Sequence, residues 1–466
     1  MSDYYFSAFN PFGYQRSVLD LWHHYDYKNK FYPEILLSGS VGSAKSSLLA
    51  FIAILHCVTW KKARVGISRM GMPDLKKTLF QEIVDSLEND PAFKEASSMR
   101  TLGHGGHYFM SRNTAEIHFA NGSVIIPMTF GDKNWGRPKS YLFSLVLMEE
   151  GTEFDDEFYE IENSGFDLLR GRINRLSHVK QNALIIASNP GEPDHFLYKY
   201  FMEEGEDHPN RFVFYSETDK NPYLDPNYIE QLRASYSPLM AERYLRGKWI
   251  SLIGKGIYHA YDQRRNYRRK DYLVQENLPI HVCYDFNVGD NKPMSAVVFQ
   301  YYDDAYHVFA ESIIDNSIWS LDCLEDLEGK GILSHSQEII IHGDATGNAR
   351  SANSKQTNYE LIRDWLTHRG YTFKIQVPRA NPPITTRHIR VNSMCQNDLK
   401  EVRLFVYKAC PTLNQGLKLT KFKKNSHIED DSKRYQHCTT SLGYGIFANE
   451  KIRNKKRSTS YTRKGS

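Results

Sequence analysis

Ile35-Leu36-Leu37-Ser38-Gly39-Ser40-Val41-Gly42-Ser43-Ala44-Lys45-Ser46-Ser47 is a strand-length apolar run, a glycine-bearing turn and a Lys-Ser pair; Leu48 to Cys57 then follow as an apolar stretch long enough for a helix. That is the strand, phosphate loop and helix of a P-loop nucleotide site. Gly39 and Gly42 let the backbone curl so that successive N–H groups face an anion at the positive end of the new helix. Lys45 would reach the β- and γ-phosphates of ATP, and the Ser46 hydroxyl would complete the shell of a Mg²⁺ ion. Ser43 and Ser47 flank these two within the expected ATP-binding set. Ala44 stands where the last glycine of G-x-x-x-x-G-K-[ST] belongs; it costs little with helical dihedrals and much with a positive φ.

Outward from this stretch, Tyr14-Gln15 precede the loop and can clamp adenine, the ring stacking and the amide reading the base edge. The alternative is a helix N-terminus with a solvated glutamine. Downstream, Val65 to Arg69 reads as a second strand and Asp74 to Leu87 as an amphipathic helix. Ala115 to Phe119 and Ser123 to Met128, joined by Asn121-Gly122, read as a hairpin. A buried strand, Leu142 to Met148, ends in Glu149-Glu150. Glu149 would serve the metal and Glu150 would polarise the attacking water, the two carboxylates that a P-loop ATPase needs. Ala183 to Ala187 repeats the format with Ser188-Asn189 at its tip, placed to sense the γ-phosphate or its water. Strands alternating with helical stretches from 35 to 190 predict a mostly parallel α/β sheet with helices on both faces.

The chain of 466 residues is long enough for two or three domains. Its 59 basic and 55 acidic residues leave a net charge of +4, so binding to nucleic acid must come from local patches and not from bulk charge. Six cysteines without a C-x-x-C pair fit reduced thiols and give no zinc framework. No signal pattern or membrane-length apolar run is evident, which predicts a soluble intracellular protein with no membrane partner.

The order of these motifs resembles the large terminase subunit of tailed bacteriophages. The resemblance continues through Asp219 to Leu224, Tyr244 to Trp249 and Gly254 to Tyr258, and spans about residues 10 to 450. It implies a DNA-packaging motor and nuclease: ATP-driven translocation of double-stranded viral DNA into a procapsid, with cutting of concatemeric DNA. It also implies a portal protein and a small terminase subunit as partners, a homo-oligomeric ring on the portal, and work in the host cell cytoplasm. Ser188 and Asn189 match the family's coupling motif, and Tyr14-Gln15 its adenine motif. Arg137 is similar in placement to the family's trans-acting arginine; a surface arginine contacting DNA or nothing is the other reading.

From Ile280 the strand pattern restarts in three runs, the opening of a ribonuclease H-like sheet. Asp285 in the first run and Asp344, after Glu338 to Gly343, match acids that hold two divalent ions, Mg²⁺ or Mn²⁺, in that fold. His437 to Tyr444 resembles the family's final H-x-x-D-A-L-G-Y helix, but Thr440 occupies the acidic position. His437 is therefore the first choice for the third ligand, with Asp430 or Asp431 next. The expected organisation is an ATPase domain over 1–250, a basic linker over 251–275, a nuclease domain over 276–450 and a basic, disordered tail over 451–466. Two rivals stand beside this reading: a DNA translocase or helicase whose second domain is inactive, and a non-catalytic DNA-binding assembly scaffold.

Overall fold

The computed structural model describes residues 9–462 apart from 29, 131–140, 161–163, 206, 252–254, 288–291, 316–318, 350–355 and 424–427. Two compact units form, Met1–Ile229 with Glu242–Ser251, and Glu230–Ala241 with Leu252–Ser466.

The first unit is built on eight strands: β1 (Glu34–Gly39), β2 (Arg64–Arg69), β3 (Tyr108–Met110), β4 (Ile117–Phe119), β5 (Val124–Thr129), β6 (Leu145–Glu149), β7 (Ala183–Ser188) and β8 (Arg211–Ser216). Their order is β3-β4-β5-β2-β6-β7-β1-β8. All neighbours are parallel except β3–β4 and β4–β5. Because side chains alternate across a strand, Ile35, Ile67, Leu147 and Ile185 enter one core while Leu36, Val146 and Ile186 enter the other. A sheet buried on both faces has its functional surface at the strand ends. The parallel order brings the C-terminal tips of β2, β6, β7 and β1 side by side.

The helix predicted over Asp74 to Leu87 is two helices, Met72–Lys77 and Leu79–Asn89. They part at Thr78, where φ −117° and ψ −106° leave the helical region. The amphipathic period survives the break, which is why the sequence reads as one helix.

The second unit carries β9 (Tyr267–Arg268), β10 (Ile280–Asp285), β11 (Met294–Tyr302), β12 (Ala305–Ile314), β13 (Ile339–Gly343), β14 (Phe373–Ile375) and β15 (Leu404–Tyr407). The order is β14-β13-β10-β11-β12-β15-β9, with β10, β11 and β12 antiparallel as a meander and the remaining pairs parallel. The helix Arg434–Thr462 packs on β10, β11 and β13. It sits close because Gly445 faces Cys283, where a β-carbon would meet the thiol sulfur at 2.1 Å.

Two expectations of organisation change. Residues expected as a linker are part of this unit's core: Ile257, Tyr258 and Ala260 are buried in it, and Tyr267 pairs with Val406. Apolar anchors among the arginines are what draw that segment in. The basic segment from 451, expected to be disordered, continues the last helix through Thr462, as lysine and arginine favour helical backbone.

Candidate active sites

In the first unit, Gly42 (φ +73°) and Ala44 (φ +60°, ψ +38°) turn the loop between β1 and the helix Lys45–Thr59 through left-handed conformations. Four successive loop carbonyls are then tied outward by side chains. Thr218 Oγ1 donates to Val41 O at 2.6 Å, Asn221 Nδ2 to Gly42 O at 2.7 Å, Tyr14 OH to Ser43 O at 2.9 Å, and Gln15 Nε2 to Ala44 O at 3.0 Å. A peptide whose carbonyl is held on one side presents the following N–H to the other, which is the arrangement an anion cradle needs. Ser43 is fixed by its own bond to Ser40 O at 2.8 Å and by one from Ser216 Oγ at 2.8 Å.

Lys45 is buried, and its three N–H groups go to Gly39 O at 2.9 Å, Ser40 O at 2.8 Å and Asn189 Oδ1 at 3.1 Å. Burial pulls this ammonium down to about 8, against the opposing pull of Glu150 and Glu149. Ser46 Oγ donates to Glu149 Oε1 at 2.5 Å, so the hydroxyl and carboxylate that suit a hard cation such as Mg²⁺ meet. Thr78 Oγ1 bonds the other oxygen, Glu149 Oε2, and the Leu79 N–H approaches it at 3.4 Å. The helix break therefore aims Thr78 at the Glu149 carboxylate.

Glu150 takes a left-handed conformation (φ +51°, ψ +55°), which re-aims the chain immediately after β6. Burial raises its carboxyl above the ordinary range, opposed by the charges of Lys45 and Arg69. Both its oxygens accept from Asn189 Nδ2 at 3.2 Å. One amide thus bridges the phosphate-loop lysine and the candidate water-activating acid. Ser188 Oγ meets Thr152 Oγ1 at 2.9 Å and ties the tip of β7 to the loop after β6. Ser47 Oγ donates to Glu82 Oε1 at 2.5 Å. Beside the loop opens a pocket of about 610 Å³ whose lining includes Phe12, Ala44, Ser47, Asp85, Asn221 and Tyr223.

In the second unit, parallel pairing sets Tyr284 beside Gly343, so Asp285 and Asp344 follow at adjacent strand ends. Asp285 Oδ2 accepts from Asn287 Nδ2 at 2.9 Å and meets His437 Nδ1 at 3.0 Å. Asp344 Oδ1 accepts from Thr346 N–H and from Asn381 Nδ2 at 3.3 Å. Each carboxylate is left with one oxygen that no hydrogen bond among the described residues engages. Two such oxygens from neighbouring strands suit one divalent cation with oxygen preference. Among the described residues, no group of three His, Cys, Asp or Glu is placed to hold a metal.

Thr440 accepts from Gln436 Nε2 at 2.8 Å, and Gln436 also donates to the buried carboxylate of Glu429 at 2.6 Å. Arg387 Nη2 lies 3.1 Å from Glu429, and His388 bonds its other oxygen. Burial would raise the Glu429 carboxyl, but the His388 hydrogen bond and the Arg387 charge outweigh it and hold the group at about 2.

The sequence profile of the phage terminase large subunit matches residues 33–244. Over that stretch the chain is similar to the phage terminase large subunit. The fold of the large terminase from a thermophilic bacteriophage superposes with a TM-score of 0.59 at 15% identity, covering 95% of this chain and 99% of that one. The same phage protein in complex with ADP gives a TM-score of 0.58, and in complex with ATP-γ-S 0.56, each at 15% identity and covering 94% of this chain and 99% of that chain. No curated protein sequence matches.

Within this fold, Lys45, Ser46, Glu149, Glu150, Ser188 and Asn189 converge through the contacts above. Tyr14 and Gln15 are bonded to the loop, and Gln15 also lines the pocket beside it. The Gln15 side chain is 1% exposed, and its amide is taken up by Ala44 O and the Phe12 N–H, so both residues brace the loop. Asp431 forms ion pairs with Lys292 at 2.6 Å and Lys423 at 2.8 Å, and Asp430 accepts from Ser432 N at 3.1 Å. Among the described residues neither bonds to Asp285, Asp344 or His437, because local lysines and the turn claim their charge. Arg137 lies outside the described residues. Thr78, Thr218, Asn221, Asn287 and Asn381 escape the sequence reading. The segment around Thr218 and Asn221 carried a hint, since Asp219 to Leu224 already matched the family pattern.

Proposed function

We propose that this terminase-family chain is the ATP-hydrolysing subunit of a viral DNA-packaging motor, with a metal-dependent endonuclease in its second unit. The observation that carries the first half is the loop with four tethered carbonyls, closed against Lys45, Ser46 and the Glu149–Glu150 pair. ATP is the substrate this geometry suits, with Mg²⁺ held by Ser46 and Glu149 to screen the phosphate charge. Lys45 exchanges its carbonyl partners for phosphate oxygens. Glu150, steered by Asn189, accepts the proton of the attacking water. Since Asn189 touches both Lys45 and Glu150, loss of the terminal phosphate changes the hydrogen bonds at the tip of β7, which supports its reading as the coupling element. The base of the nucleotide is assigned to the adjoining pocket, where Phe12 and Tyr223 supply aromatic surface.

Asp285 and Asp344, with His437 set on Asp285, would hold Mg²⁺ or Mn²⁺, which when bound supplies an activated water and charge neutralisation for phosphodiester cleavage. Partners follow from the family: double-stranded viral DNA gripped through its phosphates, a portal protein, a small terminase subunit, and further copies in a ring. The host cytoplasm is the proposed place of action. No helix among the described residues is long and apolar enough to cross a membrane.

One observation favours a second reading, a translocase whose second unit does not cut. Thr440 replaces the acid, and the carboxylate linked to it through Gln436, Glu429, is paired with Arg387 and His388. Plasmid degradation under Mn²⁺ decides. Cutting by the wild type that is lost in Asp344→Ala and His437→Ala supports the nuclease. Equal cutting by all three proteins removes Asp344 and His437 from it, and no cutting by the wild type favours the second reading.

A further inference from the structure

The phosphate loop offers no cation besides Lys45, since Ser40, Val41, Gly42 and Ser43 are uncharged. Phosphoryl transfer in P-loop enzymes gains much of its rate from a second cation on the developing charge. Arg69 ends β2, and the register Ser68–Met148 makes it the next residue in line with Glu149 on the neighbouring strand. Its guanidinium lies beside the Glu149 carboxylate: Nη1 is 3.8 Å from Glu149 Oε2 and 3.3 Å from Thr78 Oγ1. Among the described residues it is the cation in ion-pair range of Glu149.

Its strongest bonds point elsewhere. Nε and Nη2 make a two-pronged pair with the Glu153 carboxylate at 3.0 and 2.7 Å. The Glu153 side chain is 42% exposed, against 15% for Arg69. A strut for the metal carboxylate would turn this fork on Glu149, where the structure leaves the longer contact. The Glu153 carboxylate already shares its charge with water, whereas a desolvated phosphate offers the same fork more negative charge, so the transfer is favoured once ATP is bound.

We infer that Arg69 is a catalytic residue of the same chain's nucleotide site, parked on Glu153 and transferred to the terminal phosphate of bound ATP. The inference rests on the ATPase reading above. Once ATP fills the loop, the fork leaves an exposed carboxylate for phosphoryl oxygens and bears on the charge that builds during cleavage, while Glu153 returns to water. The role is independent of any arginine donated by a neighbouring subunit.

The test measures ATP turnover and fluorescent mant-ATP binding for the full-length wild type, Lys45→Ala, Arg69→Ala, Arg69→Lys and Glu153→Gln. Arg69→Ala should lower kcat at least 100-fold with mant-ATP Kd within threefold of wild type. Arg69→Lys should stay at least tenfold below wild type, because an ammonium does not reproduce the fork. Glu153→Gln should keep at least a third of the wild-type kcat. The assignment is overturned if Arg69→Ala turns over within threefold of wild type, or if Glu153→Gln loses as much as Arg69→Ala, which would make the pair a strut. Should Arg69→Ala lose its cooperative melting transition, Arg69→Lys decides, and wild-type kcat in that variant overturns the assignment. Absence of turnover in the wild type overturns the ATPase reading and this inference with it. Turnover lost in Lys45→Ala but kept in Arg69→Ala overturns the Arg69 role alone.

Discussion

Ala44→Gly should stabilise the first unit. Ala44 sits at φ +60°, ψ +38°, a left-handed conformation that costs a β-carbon-bearing residue about 1–2 kcal/mol and glycine almost nothing. Against this, glycine adds backbone freedom to the unfolded chain, worth about 0.4–1 kcal/mol. The methyl group is only half-buried at the pocket edge, so little packing is lost. The balance is a gain of roughly 0.5–1 kcal/mol, or a rise of about 1–4 °C in the melting temperature of a unit of this size. Thermal melts of the full chain, with and without ATP-γ-S, read the shift directly. Ala44→Val is the companion, because a β-branched residue is least tolerant of positive φ and should lower the same transition. A melting temperature that falls in Ala44→Gly, or one unchanged in Ala44→Val, would refute the strain argument. It would leave the residue as an ordinary start to the helix.

Three further outcomes are expected. The kcat/KM for ATP should fall as pH rises through about 8, because that is where the buried Lys45 of the free protein loses its proton, whereas an ordinary lysine would hold the rate past pH 10; a flat profile to pH 10 contradicts this. Gln15→Ala should raise the Kd for mant-ATP at least tenfold and equally for mant-GTP, since Gln15 braces Ala44 O; selective loss of the adenine nucleotide would return it to base recognition. Glu429→Gln should cost about 3–5 kcal/mol in denaturant unfolding by leaving the Arg387 charge buried without its partner. The folded-state carboxyl of Glu429 is depressed to about 2 from its ordinary 4.5, so its stabilisation is complete above pH 4.5 and disappears as pH falls toward 2. Wild-type stability should therefore decline over that acid window more steeply than that of Glu429→Gln.

Residue order alone says where the chemistry is attached. Gly42, Lys45 and Ser46 follow a strand-length apolar run, Glu149 and Glu150 end another, and Asp285 and Asp344 end two more; such patterns are local in the chain and need no knowledge of packing. The α/β class and the division into two parts came the same way, from strand and helix periods and their order. Packing settles where each polar side chain directs its hydrogen bonds. Gln15 read as a reader of the base alone, and the fold also sets its amide on the Ala44 carbonyl, more than twenty residues away in sequence. Thr78 looked like helix interior until Glu149 drew it out of the helix, and Asp431 looked like a ligand until Lys292 and Lys423 neutralised it. Arg69 read only as the end of a strand; the register of β2 on β6 makes it a neighbour of the acidic pair. The physical reason is common to all four. A motif fixes which donors and acceptors exist, but a buried hydrogen bond goes to whichever partner the fold brings within about 3 Å, and that partner is usually distant in the chain.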